Sequence, residues 1–212
     1  MKIEGELRKE VIECGHLLYQ LRLVIGTGGN ISGRIDDEAI IITPSGACKG
    51  RMKAYDLIRM LIETGEVTAG GKPSMETPFH LAFYRQRKDV GAVVHCHPLF
   101  CTLLSVTGET VRTDLTPEGL LVLDEVAFIP YASPGSQQLA RNLAEGMGGH
   151  DAFILENHGA ITVGRDLADA CHKMETLEFL AELQVRARGD DRLKALSAEE
   201  KGRLLAMKNK GK

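Results

Sequence analysis

Apolar residues recur every three or four positions in some stretches and cluster in short runs in others, and the two patterns interleave from end to end. Ile3, Leu7, Val11, Cys14, Leu18, Leu21 and Val24 mark one face of a helix over residues 3–24, and Gly26 ends it. The run Ala39-Ile40-Ile41-Ile42-Thr43 reads as a buried strand. Residues 54–62 predict a short helix and Glu66-Val67 a short strand. A helix opens at Ser74, a good N-cap, and runs to about Arg87, with Pro78 in the first turn where proline is tolerated. Val90 to His97 reads as the central strand, and Pro98 to about Ser105 as a short helix. Residues 114–125 form an apolar segment bearing Asp114, Glu118, Asp124 and Glu125, and Val126 to Pro130 a strand. A helix starts at Ser133-Pro134-Gly135-Ser136 and runs through Glu145. Strands at 152–155 and 160–163 flank the turn Glu156-Asn157-His158-Gly159. The longest helix spans 166–188, and the tail from about 197 to 212 makes one more, ending in a solvated lysine-rich segment. With no repeat and no composition break, the prediction is one α/β domain over 1–212. It has a mixed or antiparallel central sheet and helices on both faces.

The strand at 90–97 carries the first candidate chemistry. Side chains alternate along a strand, so His95 and His97 face one way and Cys96 the other. Two imidazoles on one face, roughly 6–7 Å apart along the backbone, can converge on one metal ion. Cys96, pointing away from them, is expected in core packing. A catalytic metal site needs a third protein ligand and an open position. His158 is the best candidate, because it follows an apolar strand and precedes a glycine. His16 and His172 fall inside helices and His150 in a glycine-rich loop, which suits structural or solvent-facing roles. Three neutral imidazoles leave a divalent ion its full charge, making it a strong Lewis acid. Glu76, at a helix start, is the candidate general base or a fourth ligand that substrate displaces. His80 lies four residues on, over the same face, and is expected to pack or support.

Two further stretches favour anions. Gly26-Thr27-Gly28-Gly29-Asn30-Ile31-Ser32 and Thr43-Pro44-Ser45-Gly46 combine glycines, which allow close backbone approach, with small hydroxyl and amide donors. Neither is a dinucleotide fingerprint after a strand nor a P-loop. A carbonyl-polarising metal, a base beside it and an anion site nearby suit a sugar-phosphate enzyme.

Composition narrows the setting. The 212 residues carry a net charge of −3, which argues against nucleic acid or an anionic membrane as partner. There is no tryptophan and aromatics make up 5%, so a base-stacking platform is not expected. No apolar stretch reaches membrane-spanning length, and the first ten residues lack the apolar core of a signal peptide. The five cysteines, at 14, 48, 96, 101 and 171, are scattered and odd in number. That predicts no disulfide framework and no Cys-x-x-Cys zinc pair, as suits a reducing cytoplasm.

Five motifs then occur in order: Gly26-Thr27-Gly28-Gly29-Asn30-Ile31-Ser32, Thr43-Pro44-Ser45-Gly46, Ser74-x-Glu76, His95-x-His97 and Asn157-His158-Gly159. Together they resemble the class II aldolase/adducin family, which includes the fuculose-phosphate aldolases, over about residues 5–185. The resemblance implies a three-layer α/β/α fold and one zinc per subunit on His95, His97 and His158, with manganese or cobalt as possible substitutes. It implies Glu76 as the acid/base that also ligates zinc when substrate is absent. It implies a phosphate site at Gly29, Asn30, Ser45, Gly46, Ser74 and Met75, and a homotetramer with active sites between subunits. The implied reaction is reversible cleavage of a ketose 1-phosphate, fuculose-1-phosphate-like or 5-deoxyribulose-1-phosphate-like, to dihydroxyacetone phosphate and an aldehyde. Sister reactions in the family are pentulose-5-phosphate 4-epimerisation, methylthioribulose-1-phosphate dehydration and sugar-acid phosphate decarboxylation. A non-catalytic adducin-like module is disfavoured, because all three histidines and Glu76 are present. Two departures stand out. Met75 replaces the second serine of the phosphate motif, and none of Tyr19, Tyr55, Tyr84 and Tyr131 falls where the fuculose-phosphate enzymes use tyrosine. Glu118, from a neighbouring subunit, is the candidate replacement, with Asp114, Asp124 and Glu125 nearly as eligible.

Overall fold

The computed structural model describes residues 3–210. The chain lays down α1 (Glu4–Gln20), β1 (Asn30–Arg34), β2 (Ala39–Ile42), β3 (Ile58–Leu61), β4 (Val67–Ala69), α2 (Thr77–Gln86) and β5 (Ala92–Cys96). There follow α3 (Leu99–Val106), α4 (Pro117–Val122), β6 (Val126–Ile129), α5 (Gln137–Gly146), β7 (Ala152–Leu155), β8 (Gly159–Gly164), α6 (Leu167–Arg186) and α7 (Ala198–Lys210). The strands form one eight-stranded sheet of order β4-β3-β2-β1-β5-β8-β7-β6. Every pairing is antiparallel except β6 with β7, which is parallel, so the sheet is mixed. The α5 helix makes the crossover that a parallel pair requires.

Each face of the sheet is covered. Val11 and Leu18 of α1, Leu104 of α3, and Met174, Leu177 and Leu180 of α6 pack on one side with Val94 and Cys96. Phe79 and Phe83 of α2 and Leu139 and Leu143 of α5 pack on the other with Val93, Phe153 and Ile161. This is the three-layer α/β/α arrangement expected. Residues of β5 go alternately to the two cores, and all five are buried, as an apolar run in a doubly covered sheet should be.

Several elements differ from the periodicity reading. Residues 54–62 are not a helix. Only Ala54–Asp56 turns, as a 3-10 segment, and β3 follows with Ile58 and Met60 buried while Arg59 and Leu61 are half-exposed. That period of two decides for strand. Segment 30–34, which overlaps the glycine-rich stretch read as favouring anions, is a full strand. Its polar Asn30, Ser32 and Arg34 face polar partners, so no apolar alternation announces it. Ser74 is not the N-cap of α2. That position belongs to Glu76, whose amide donates to Ser74 Oγ at 3.3 Å. The tail helix docks through one side, and its lysine-rich end lies largely outside the residues whose side chains are described. Leu204 is buried, and Lys208 Nζ lies 3.7 Å from Asp124 on the neighbouring segment. Residues 211 and 212 of the expected tail helix lie outside the described residues. Finally, Cys14 of α1 and Cys171 of α6 form a disulfide, against the expectation of none. Both sit on the inner stripes of helices that the fold places side by side. Cys48, Cys96 and Cys101 are free thiols. Among the described residues, no helix is long and apolar enough to cross a membrane.

Candidate active site

β1, β5 and β8 are neighbours in the middle of the sheet, and the start of β1, the end of β5 and the start of β8 meet. His95 is the fourth residue of β5, opposite Asn30 of β1 on one side and Ile161 of β8 on the other. It is fully buried, and its Nδ1–H donates to the Ala160 carbonyl at 2.9 Å. That bond fixes the tautomer and leaves the Nε2 lone pair facing the site. His97 leaves the strand end on the same side, and its Nε2 lies 3.0 Å from His95 Nε2. His158 comes from the turn between β7 and β8. There Asn157 takes a left-handed backbone (φ 53°), and its amide is tethered to the Ser105 carbonyl at 3.2 Å. Ligand atoms of His95, His97 and His158 all lie within 4.8 Å of one another. Glycines make room for this packing. A Cβ at Gly159 would sit 2.5 Å from the Cys96 carbonyl and 2.7 Å from His97 Cδ2. At Gly29, φ is +70°, and a Cβ would sit 2.6 Å from the His95 carbonyl.

Glu76 closes the group. Its Oε2 lies 3.2 Å from His95 Nε2 and its Oε1 3.3 Å from His158 Nε2. Asn30 Nδ2 donates to Oε2 at 2.7 Å. Because the amide nitrogen is spent on the carboxylate, Asn30 Oδ1 must face His80, whose Nε2 lies 2.5 Å away and therefore carries the proton. His80 Nδ1 then accepts from Ser32 Oγ at 2.7 Å, and Ser32 in turn meets Tyr84 Oη at 2.8 Å. A single file of buried hydrogen bonds thus runs from Tyr84 through Ser32, His80 and Asn30 to Glu76. His80 is a support of Glu76, as expected, and Ser32 belongs to this file rather than to an anion loop.

The electrostatics suit a cation. Burial, then the neighbouring His95 and His158, lowers His97 to about 3. Burial, then His95, lowers His158 to about 4. Both are neutral at ordinary pH and keep lone pairs for a metal. Burial alone would raise the Glu76 carboxyl, but His95, the Asn30 hydrogen bond and His158 outweigh it and hold it well below the usual carboxylate range. Glu76 Oε1 and His158 Nδ1 are buried without a hydrogen-bond partner among the described residues. Two ring nitrogens 3.0 Å apart can share only one proton. The donor set, three imidazoles and one carboxylate with an orphaned oxygen, fits a divalent ion such as zinc.

Beside these groups lies a cavity of about 470 Å³. Its lining includes Gly29, Asn30, Ser45, Gly46, Ser74 and Met75, the whole set suggested for phosphate. Asn30 reaches it while its side chain is held by Glu76 and His80. Ser74 is buried, whereas Met75 is exposed. Glu118 is elsewhere. It sits in the first turn of α4, largely exposed, 3.9 Å from His172 Nε2, and does not line this cavity. Lys49 does line it and was not singled out from the sequence. A lysine between cysteine and glycine, directly after the Thr43–Gly46 turn, is the only signal there was.

The family model described as "Class II Aldolase and Adducin N-terminal domain" matches residues 9–185. The L-fuculose phosphate aldolase of Methanocaldococcus jannaschii is 37% identical over 176 residues, 83% of this chain and 94% of that protein. The 3-oxo-tetronate 4-phosphate decarboxylase of Escherichia coli K12 is 34% identical over 203 residues, 94% and 95% of the two chains. The structure of YgbL from Escherichia coli superposes with a TM-score of 0.91 at 33% identity, covering 96% of this chain and all (100%) of that one. A solved L-fuculose 1-phosphate aldolase gives 0.88 at 30% identity, covering 95% of each chain. On the family model and these relatives, the chain belongs to the class II aldolase/adducin family.

Proposed function

We propose that this protein is a zinc-dependent aldolase that reversibly cleaves a ketose 1-phosphate, fuculose-1-phosphate-like or 5-deoxyribulose-1-phosphate-like, to dihydroxyacetone phosphate and an aldehyde. The observation that carries the reading is Glu76, one carboxylate touching two of three clustered imidazoles beside a cavity walled by two small-residue loops. His95, His97 and His158, with Glu76 in the substrate-free state, would hold a divalent ion, which would supply Lewis acidity to a carbonyl. Glu76 moves the proton between carbon and solvent. Asn30 holds one of its oxygens, so the other, Oε1, is the one free to turn toward substrate. The amides of Gly29 and Gly46, with Ser45, Ser74 and the Met75 backbone, take the phosphate. The C4 hydroxyl, which loses its proton as the C3–C4 bond breaks and becomes the aldehyde oxygen, needs its own base, and Glu118 from a neighbouring subunit of a cytoplasmic homotetramer is the candidate, being exposed on its own subunit.

A second reading, decarboxylation of a phosphorylated 3-oxo sugar acid, is favoured by one observation. Among the described residues, Glu76 is the sole carboxylate lining the cavity, and no tyrosine lines it. Decarboxylation requires one proton returned to carbon and no second base for a hydroxyl. It is also the activity named for the Escherichia coli relative.

The test is a panel of ketose 1- and 5-phosphates and 3-oxo acid phosphates, with coupled detection of dihydroxyacetone phosphate and of carbon dioxide. Release of dihydroxyacetone phosphate supports the aldolase. Release of carbon dioxide moves the assignment to the decarboxylase, and a 4-epimer or a dehydrated ketone moves it to those sister reactions. Glu76→Gln is expected to lower kcat by about 10²–10⁴-fold. A purified protein without bound divalent metal, or undiminished turnover by His95→Ala, would sink the reading.

A further inference from the structure

Lys49 is an unusual residue in this cavity. It is 1% exposed, and lysine is almost never buried this far without a charged partner. Its Nζ donates to the Thr27 carbonyl at 2.8 Å and the Ala47 carbonyl at 2.9 Å. Those carbonyls belong to the two small-residue loops, so one ammonium bolts together the loop before β1 and the loop after β2. An ammonium has three N–H donors, and these two bonds use two. Among the described residues no carboxylate pairs with it, and the third donor has no protein acceptor. The group is cationic at neutral pH although burial lowers it to about 8, with the free thiols of Cys96 and Cys48 and the Glu76 carboxylate acting against burial. Lys49 is also the sole lysine or arginine lining the cavity among the described residues. Backbone amides at Gly29 and Gly46, both in left-handed conformations with φ +70° and +73°, can supply a nest but no charge.

We propose that Lys49 is the counter-charge of the substrate's phosphate, holding the two loops in anion-binding register and placing a positive charge behind them. This rests on the cavity taking a sugar phosphate, as argued above. The missing partner of the buried ammonium is then the anion that substrate brings. Lys49 is a positioning residue for the loops: its hydrogen bonds go to loop carbonyls and none to the imidazole cluster that would hold the metal.

The test compares metal-loaded wild type with Lys49→Met and Lys49→Gln. The second variant keeps an amide donor for the loop carbonyls should the first fail to fold. The probes are inorganic phosphate, for the anion site, and acetohydroxamate, for the metal. Calorimetry is expected to show phosphate binding weakened about 10- to 100-fold in the variants, with acetohydroxamate affinity and metal content unchanged. For any phosphorylated substrate that wild type turns over, KM is expected to rise by the same factor, with kcat moving far less. Equal phosphate affinity in wild type and folded variants overturns the proposal. So does equal loss of both probes, which marks a purely structural role, or a wild type that binds no phosphate. If phosphate binding depends on Lys49 but no sugar phosphate is turned over, the reaction assigned above fails and the role of Lys49 stands.

Discussion

The file of hydrogen bonds beneath Glu76 makes a quantitative prediction. Asn30→Ala removes the donor to the Glu76 carboxylate and the acceptor for His80 Nε2–H together. A hydrogen bond to a charged group contributes about 1.5–3 kcal/mol, and an orphaned buried donor costs about 1–3 kcal/mol. The expected loss of stability is therefore about 2.5–6 kcal/mol, read by guanidinium unfolding of metal-free protein so that ligand linkage does not intrude. His80→Ala breaks the same bond from the other side, so the double variant should show a coupling energy of about 1–2 kcal/mol. The histidine also titrates. Burial, then repulsion from His95, lowers His80 to about 3 against 6.5 for the free group. Its contribution is complete above pH 6.5 and is lost as pH falls toward 3, because the unfolded chain takes up the proton first. The full loss is on the order of 5 kcal/mol. His80→Asn should flatten the wild-type pH dependence in that window. Single costs below about 1 kcal/mol, or costs that add within about 0.5 kcal/mol in the double variant, would refute the idea that Asn30 and His80 act as one support.

Three further predictions concern other parts of the molecule. Gly29→Ala must strain the backbone at φ +70° and push against the His95 carbonyl, so it should cost about 2–4 kcal/mol by chemical denaturation and weaken metal retention; a near-neutral variant would refute the tight approach of that loop to β5. In metal-free protein, His97 and His158 should stay neutral at pH 5.5, because burial and then repulsion from His95 lower them to about 3 and about 4; imidazole resonances from these residues that titrate near 6.5 would contradict the packing. Replacing both Cys14 and Cys171 by Ser, or reducing wild type, should lower stability by about 2–5 kcal/mol, since the crosslink closes a long loop between α1 and α6; equal Tm for oxidised and reduced protein would show that the bridge does not form.

Most of the framework was legible from periodicity because its drivers are local. The apolar runs at Ile40–Ile42, Ala92–Val94 and Ala152–Leu155 can be satisfied only by strands buried on both faces, and that is where they lie. His95 and His97 could be paired from the alternation of a strand alone, and His158 from its place after a buried run. What failed was non-local. β1 looked like a turn because Ser32 and Arg34 find their partners on α2 and beyond, among them Tyr84, far along the chain. The Cys14–Cys171 bridge depends on α1 lying beside α6, which no spacing announces. Lys49 is informative only once its two acceptors, Thr27 and Ala47, are seen on the loop before β1 and the loop after β2.

The position of β5 also bears on how the molecule is made. As the chain is synthesised, β1 and β2 already exist when β5 emerges, and β5 can zip onto β1 at once. Its other edge belongs to β8, which appears only after α3, α4, β6, α5 and β7. Through that interval the nascent chain displays an open strand edge, apolar but for His95, the kind of surface that recruits unwanted strands. It also displays His95 and His97 without His158. A metal caught early would meet a two-histidine half-site, so firm loading must wait until β8 closes the gap. The arrival of that strand ends the hazardous stage of folding and completes the cofactor site in one event.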